Sequence, residues 1–286
     1  MSINNNLRTY IVSASLLMIP LTVNAEEKFR VCADPVNPPY STQELTGYEN
    51  KIAALFAQQL GQTVEYTWLP DRIGFIRNTL KAENETGEGF KCDIVMGVPA
   101  GFDLTDTTKP YFHSTYVLLI ATGRGWDDIK DSAQLANLPP DRLERLKIAM
   151  FDRGPGTEWL QKNGLLEQGV PYQSMTGDSE QNVAMQIEKD LRNKTIDMVI
   201  LWGPMAGYVQ SKGPKNGYIA IPMQSQPGIT FDFSIAMGIR QGDGARKQLL
   251  NELINKNQDK IQAIISSYHI PILPIPEPKK MKDDDD

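Results

Sequence analysis

Residues 92–119, CDIVMGVPAGFDLTDTTKPYFHSTYVLL, leave few folds open to this chain. Ile94, Val95 and Met96 form a short apolar run halted by Gly97, the pattern of a parallel strand covered on both faces. A loop of small residues spans 98–109. Pro110 and Tyr111 then lead into a second extended run at 114–120, rich in β-branched and aromatic residues. Strand, loop and departing strand describe a chain that crosses from one lobe to another. Ligands in such sheets sit beyond the carboxyl ends of the strands.

The remaining periodicities fit the same plan. A strand at 29–33 runs into a loop at 34–40 stiffened by Pro35, Pro38 and Pro39. A helix at 49–60 carries Ile52, Leu55, Phe56 and Leu60 on one face and stops at Gly61. An alternating strand at 63–69 and a helix at 71–80 precede an acidic, Gly-rich surface loop at 83–89. This is βαβαβ, hence a parallel, doubly wound sheet. A second series follows a linker at 126–138. Strands are expected at 147–151, 170–173 and 196–201, with helices at 159–163, 181–193 and 205–211 and an extended segment at 218–222. A strand at 230–238 would return to the first lobe, followed by one long helix at 247–265. The expected fold is α/β with two lobes, each a doubly wound, mostly parallel sheet. Lobe I takes residues 26–118 and 223–275, lobe II takes 119–222, and 276–286 is a flexible acidic tail.

Residues 1–25 read as an export signal. Arg8 is the lone early cation, 10–23 is apolar but broken by Pro20, and Val23 and Ala25 are the small residues of a cleavage site. A retained N-terminal helix is the alternative. The formal net charge of −6, with four of the negatives at Asp283–Asp286, argues against nucleic acid, which wants a basic face. Cys32 and Cys92 each belong to a short strand. If those strands are neighbours the sulfurs pair, which export permits; otherwise they are two small buried hydrophobes. The chain holds two histidines, His113 and His269, and no Cys-His, Ser-His-Asp or HExxH pattern is visible. Asp34, Asp71 and Asp103 follow strands and offer a carboxylate pair. No catalytic or metal-binding residue is assigned, and the chain reads as a non-enzyme.

Pro38-Pro39-Tyr40 followed by Gly47-Tyr48-Glu49, with the strand–loop–strand ending at Pro110-Tyr111, resembles the type II periplasmic solute-binding proteins. The segments Val98-Pro99-Ala100-Gly101 and Trp202-Gly203-Pro204 narrow the resemblance to the MoxJ/XoxJ proteins encoded beside quinoprotein alcohol dehydrogenases. The resemblance implies a periplasmic accessory protein for a PQQ-dependent methanol dehydrogenase, with a chaperone-like part in maturing or activating that enzyme. No cofactor of its own is implied. It also implies two lobes around a cleft.

The amino-acid-binding relatives hold a zwitterion with an Arg after the third strand, an acid at a second-lobe strand end, and a further acid after the Gly-aromatic turn. Here no Arg lies between Gly97 and Pro110; that loop offers Asp103 and Asp106 instead. Trp202-Gly203-Pro204 stands where the second-lobe acid is expected, and Asn50 stands two residues beyond Tyr48. An ordinary amino acid would be poorly held, because burying its charges unpaired is costly. The residues left to line the cleft are stiff and apolar: Tyr40, Tyr48, Trp68, Pro99, Phe102 and Trp202, with Asp103 on the loop. Lobe packing is the plain alternative for each. Arg153, in the Gly-rich turn before a helix, is a weak anion candidate. The alternative function is a receptor delivering a small non-amino-acid organic ligand to an ABC-type transporter; a third is a carrier for PQQ or a lanthanide.

Overall fold

A computed structural model describes residues 27–277. The export segment read at 1–25 and nearly all of the acidic tail lie outside the described residues. The first lobe opens with β1 (Lys28–Ala33), the small hairpin β2 (Val36–Asn37) and β3 (Ser41–Thr42), then α1 (Tyr48–Leu60), β4 (Thr63–Trp68), the single turn α2 (Phe75–Asn78), β5 (Ile94–Pro99) and β6 (Asp106–Thr107). The crossing strand β7 (Phe112–Ala121) leads to α3 (Pro140–Leu143), β8 (Ile148–Phe151), α4 (Pro155–Lys162), β9 (Gly169–Tyr172), α5 (Val183–Arg192), β10 (Met198–Trp202), α6 (Gly203–Lys212) and β11 (Tyr218–Pro222). The chain returns through β12 (Asp232–Ile239) and ends in α7 (Gly244–Lys256) and α8 (Gln258–Ser266).

The strand order is β4-β1-β5-β12-β7-β10-β8-β9, with β6 added on β12 and β11 on β7. Within each lobe the inner strands are parallel: β4, β1 and β5 in one, β10, β8 and β9 in the other. The two crossing strands run antiparallel to their neighbours. β7 belongs to both sheets. Phe112–Thr115 pairs with β12, and from Tyr116 onward the partner is β10. Past that switch its side chains alternate between two cores, as a period of two demands. Leu118 and Ile120 join one, with Trp159 and Ile200. Val117 and Leu119 join the other, with Ile187 and Val199. The first-lobe core gathers Val31, Ile52, Phe56, Met96, Met237, Leu250, Ile254 and Ile261.

Local chemistry explains the elements that matter for the cleft. α1 starts at Gly47, where a Cβ would come within 2.0 Å of the Tyr40 carbonyl oxygen. Asn50 Oδ1 accepts from the Gly47 N–H at 3.1 Å and from the Thr42 N–H at 3.0 Å, so it caps the helix and fastens the preceding hairpin. Gly61, at φ 67°, ends it. Cys32 and Cys92 form a disulfide with Cα atoms 5.4 Å apart, packed with Ile76, Leu80, Val95 and Val98. At the opposite end of the first sheet from the cleft, buried Asp93 accepts from Arg30 Nε at 2.9 Å and Arg240 Nη2 at 2.5 Å.

Two expectations need correcting. The helix expected at 247–265 is two helices, α7 and α8, broken at buried Asn257, whose side-chain amide turns back to the Leu253 carbonyl at 2.9 Å. The helix expected at 71–80 shrinks to Phe75–Asn78, because Gly74 sits at φ 93°. No described helix is long and apolar enough to cross a membrane.

Candidate functional site

Turns beyond the strand ends of the two lobes meet where Asn182 bonds to Asn37 and Pro38, and the ground between them is the candidate cleft. The first-lobe wall comes from the turns after β1, β4 and β5, and from the start of α1. Asp34, after β1, is consumed structurally. Its Oδ1 accepts from the Val36 N–H at 2.7 Å and its Oδ2 from the Asp71 N–H at 2.6 Å, tying two cleft loops together. Asp71 follows β4 at an exposed position, and the surrounding protein and the charge of Asp34 hold its carboxyl above the ordinary range.

Glu49 is the acid that sequence reading passed over. It occupies the second position of α1, and Gly97 on β5 makes room for it: a Cβ there would lie 2.3 Å from Glu49 Oε1. Burial and the charge of Asp71 push the Glu49 carboxyl up to about 8, against the pull of the Tyr48 hydroxyl. At neutral pH the Glu49 carboxyl therefore keeps its proton. An acid does follow the Gly-aromatic turn, at Glu49, one residue before Asn50. The signal was in Gly47-Tyr48-Glu49 itself.

Aromatic rings form the floor. Tyr116 on β7 lies 5.4 Å from Trp202 and 6.3 Å from Phe233, ring centre to ring centre, and Trp202 lies 5.9 Å from Phe233. This cluster joins the end of β10 to both crossing strands. Burial raises the Tyr116 hydroxyl, and it raises that of Tyr40 well above its ordinary value.

The second-lobe wall is built of glycine and backbone. The turn before α4 has Gly154 at φ 114°, and Gly156 is pressed against Ile200, where a Cβ would meet the side chain at 3.2 Å. Helix–sheet packing accounts for Gly156, and the positive φ accounts for Gly154. At Trp202-Gly203-Pro204, a Cβ on Gly203 would fall 2.6 Å from the Thr115 carbonyl oxygen, and one on Gly207 would fall 2.3 Å from that of Tyr268. These two bare faces of α6 seat the chain after α8. Ser114 Oγ donates to the Pro271 carbonyl at 2.6 Å, and the Leu273 N–H donates to the His113 carbonyl at 2.9 Å. The chain after α8 thus ties the first-lobe core, which Ile270 joins, to α6 of the second lobe.

The named cleft residues are only partly brought together. Tyr40 packs on Tyr48, 5.7 Å between ring centres, and on the first-lobe core, and Trp202 joins Tyr116 and Phe233. Tyr48 is 1% exposed and belongs to the first-lobe core, edge-on to Phe112. Trp68 stacks on Tyr66 at 4.5 Å and packs on the same core. Phe102 leans on the disulfide cluster. Pro99 and Asp103 are exposed, and the Asp103 carbonyl accepts from Gln241. Arg153 is exposed and pairs with Asp152 at 3.7 Å. A Ser-His-Asp trio invisible in the sequence also forms between the crossing strands. His113, 5% exposed, places Nε2 2.9 Å from Asp232 Oδ2 and Nδ1 2.9 Å from Ser234 Oγ. Asp232 and Ser234 lie two apart on β12, opposite His113 on β7. The Ser225 hydroxyl, with His113, holds the Asp232 carboxyl below its ordinary value. The trio is a polar clamp between strands, with a buried imidazole at its centre. Among the described residues no group of three or more His, Cys, Asp or Glu is arranged to hold a metal ion.

No family model matches the chain. It is similar to the periplasmic binding protein XoxJ from Methylobacterium extorquens AM1, with 31% identity, a TM-score of 0.67 and coverage of 86% of this chain and 100% of that one. It is similar in fold to MxaJ from Methlophaga aminisulfidivorans MPT, with 21% identity, a TM-score of 0.68 and coverage of 86% and 99%. It is also 26% identical to protein MoxJ of Methylorubrum extorquens, over 86% of this chain and 82% of that protein.

Proposed function

The chain belongs to the MoxJ/XoxJ-type family of periplasmic binding protein-like proteins, and from that premise we propose that it is a periplasmic accessory protein that engages a PQQ-dependent methanol dehydrogenase and assists its maturation or activation. The observation that carries this reading is the second-lobe wall. Where an amino-acid receptor has a second-lobe acid, this protein has Trp202 and the bare Gly203 at the end of β10. A wall made of backbone offers shape rather than ionic grip, which suits a polypeptide surface better than a zwitterion. The test is capture of apo-dehydrogenase by the mature protein, paired with dehydrogenase activity in a deletion strain. Retention of the dehydrogenase and loss of activity on deletion are expected. Absence of both across a range of salt concentrations overturns the reading.

A second reading, delivery of a small organic solute to an ABC-type transporter, is favoured by one observation. Glu49 and Asp71 stand together in the first-lobe wall with raised pKa values, an arrangement that receives a neutral donor or a cation. A solute at 100 times its dissociation constant adds about 2.7 kcal/mol. A thermal-shift screen over neutral and cationic organic compounds separates the two readings.

A further inference from the structure

Contacts across the mouth of the cleft join the lobes directly. Asn182 is the N-cap of α5 in the second lobe, and its Oδ1 accepts from the Met185 N–H at 2.9 Å. The same side chain has its amide nitrogen left over. That nitrogen donates to Asn37 Oδ1 at 2.9 Å and to the Pro38 carbonyl at 2.7 Å, both in the first lobe. Gly177, in the loop before α5, lies against Arg72 of the first lobe, where an added Cβ would meet Arg72 Cβ at 3.4 Å.

We propose that Asn182 is a latch that sets the balance between closed and open lobes through protein–protein bonds alone, independently of any solute in the cleft. Both sides of the latch are held in place before it closes. Asn182 is oriented by its capping bond, and the acceptors sit in a loop whose backbone is restricted by Pro35, Pro38 and Pro39. Little conformational freedom is lost when they meet, so the bonds contribute nearly their full worth to closure. The choice of side chain agrees. Serine, threonine or aspartate would cap α5 as well as asparagine. Of the good caps that reach this far, only asparagine also donates two hydrogens.

The test uses that difference. Asn182→Asp keeps the cap and removes both donors, and it sets a carboxylate against two oxygens. Spin labels at Glu44→Cys and Lys189→Cys, exposed sites on the two lobes, report the inter-lobe distance by pulsed electron resonance; circular dichroism and thermal melting report folding. The expected result is one short distance for the parent. Asn182→Asp should show a second, longer one, with the open-to-closed ratio raised about tenfold or more and the melting temperature lowered by less than in Asn182→Ala. Asn182→Ala should open the lobes and also lower the melting temperature, because the cap is lost too. Identical distance distributions for the parent and Asn182→Asp overturn the proposal. So does a parent already as open as the variant.

Discussion

The two walls of the cleft share one α/β plan and differ in what their strand ends carry. The first-lobe wall is chemical: Glu49, Asp71 and Tyr40 offer groups whose protonation is perturbed by burial. The second-lobe wall is geometric: its glycines remove side chains so that backbone, ring and the chain after α8 meet closely. The first lobe also carries more reinforcement, with the disulfide just before β5 and Asp34 spanning two loops. A wall that carries acids and a wall built of glycine and backbone teach that the halves of one binding fold can differ separately.

The largest expected effect tests the reinforcement of the first wall. Cys32→Ser with Cys92→Ser opens a loop of 60 residues and should cost about 4 kcal/mol in urea unfolding, from chain entropy alone. A loss near zero would mean the first wall does not depend on its cross-link. Next comes Glu49. Its folded pKa of about 8 lies above the ordinary 4.5. The folded state therefore binds the proton more tightly than the unfolded chain. The stability this confers is fully present below pH 4.5 and is lost as pH rises through 8. The parent should lose a few kcal/mol across that window, and Glu49→Gln should lose less, keeping only the part that Asp71 contributes below about pH 6. Parallel melting curves of the two proteins at pH 5 and pH 8 would place the carboxyl in water.

The second wall should respond to size rather than to pH. Gly207→Ala drives a methyl into the Tyr268 carbonyl and should cost about 1–3 kcal/mol, with the loss unchanged between pH 5 and pH 8. A pH-dependent loss would blur the contrast between the walls. The smallest effect is expected at Trp202→Phe, which keeps a ring beside Tyr116 and Phe233 and should cost under about 1.5 kcal/mol. A larger loss would show that the floor depends on the indole itself.

What the sequence made legible follows the range of each interaction. The run at 94–96, the Pro110-Tyr111 exit and the return near 230–238 are local patterns, and the sheet they announce is the sheet that forms. The disulfide followed from strand adjacency. Local patterns were misleading where one buried polar group decides the outcome. Asn257 breaks a periodic helix in two by capping back on itself, which hydrophobic spacing cannot register. The site was less legible because its parts come from distant positions. His113 and Asp232 are 119 residues apart, and Asn182 reaches Asn37 over 145. Glu49 was missed for a different reason. An acid at the start of a helix is ordinary, and only its setting against Gly97 marks it as part of the cleft.

The change of partner along β7 has a consequence for how such a chain can vary. Thr115 still pairs with β12 while Tyr116 already pairs with β10. One residue inserted there would turn Leu118 and Val117 toward each other's cores and set Tyr116 on the wrong side of the floor. Neither sheet could absorb the error, since each is anchored on its own side. The strand's length is therefore fixed by two independent constraints at once, and insertions or deletions belong in the loops at either end.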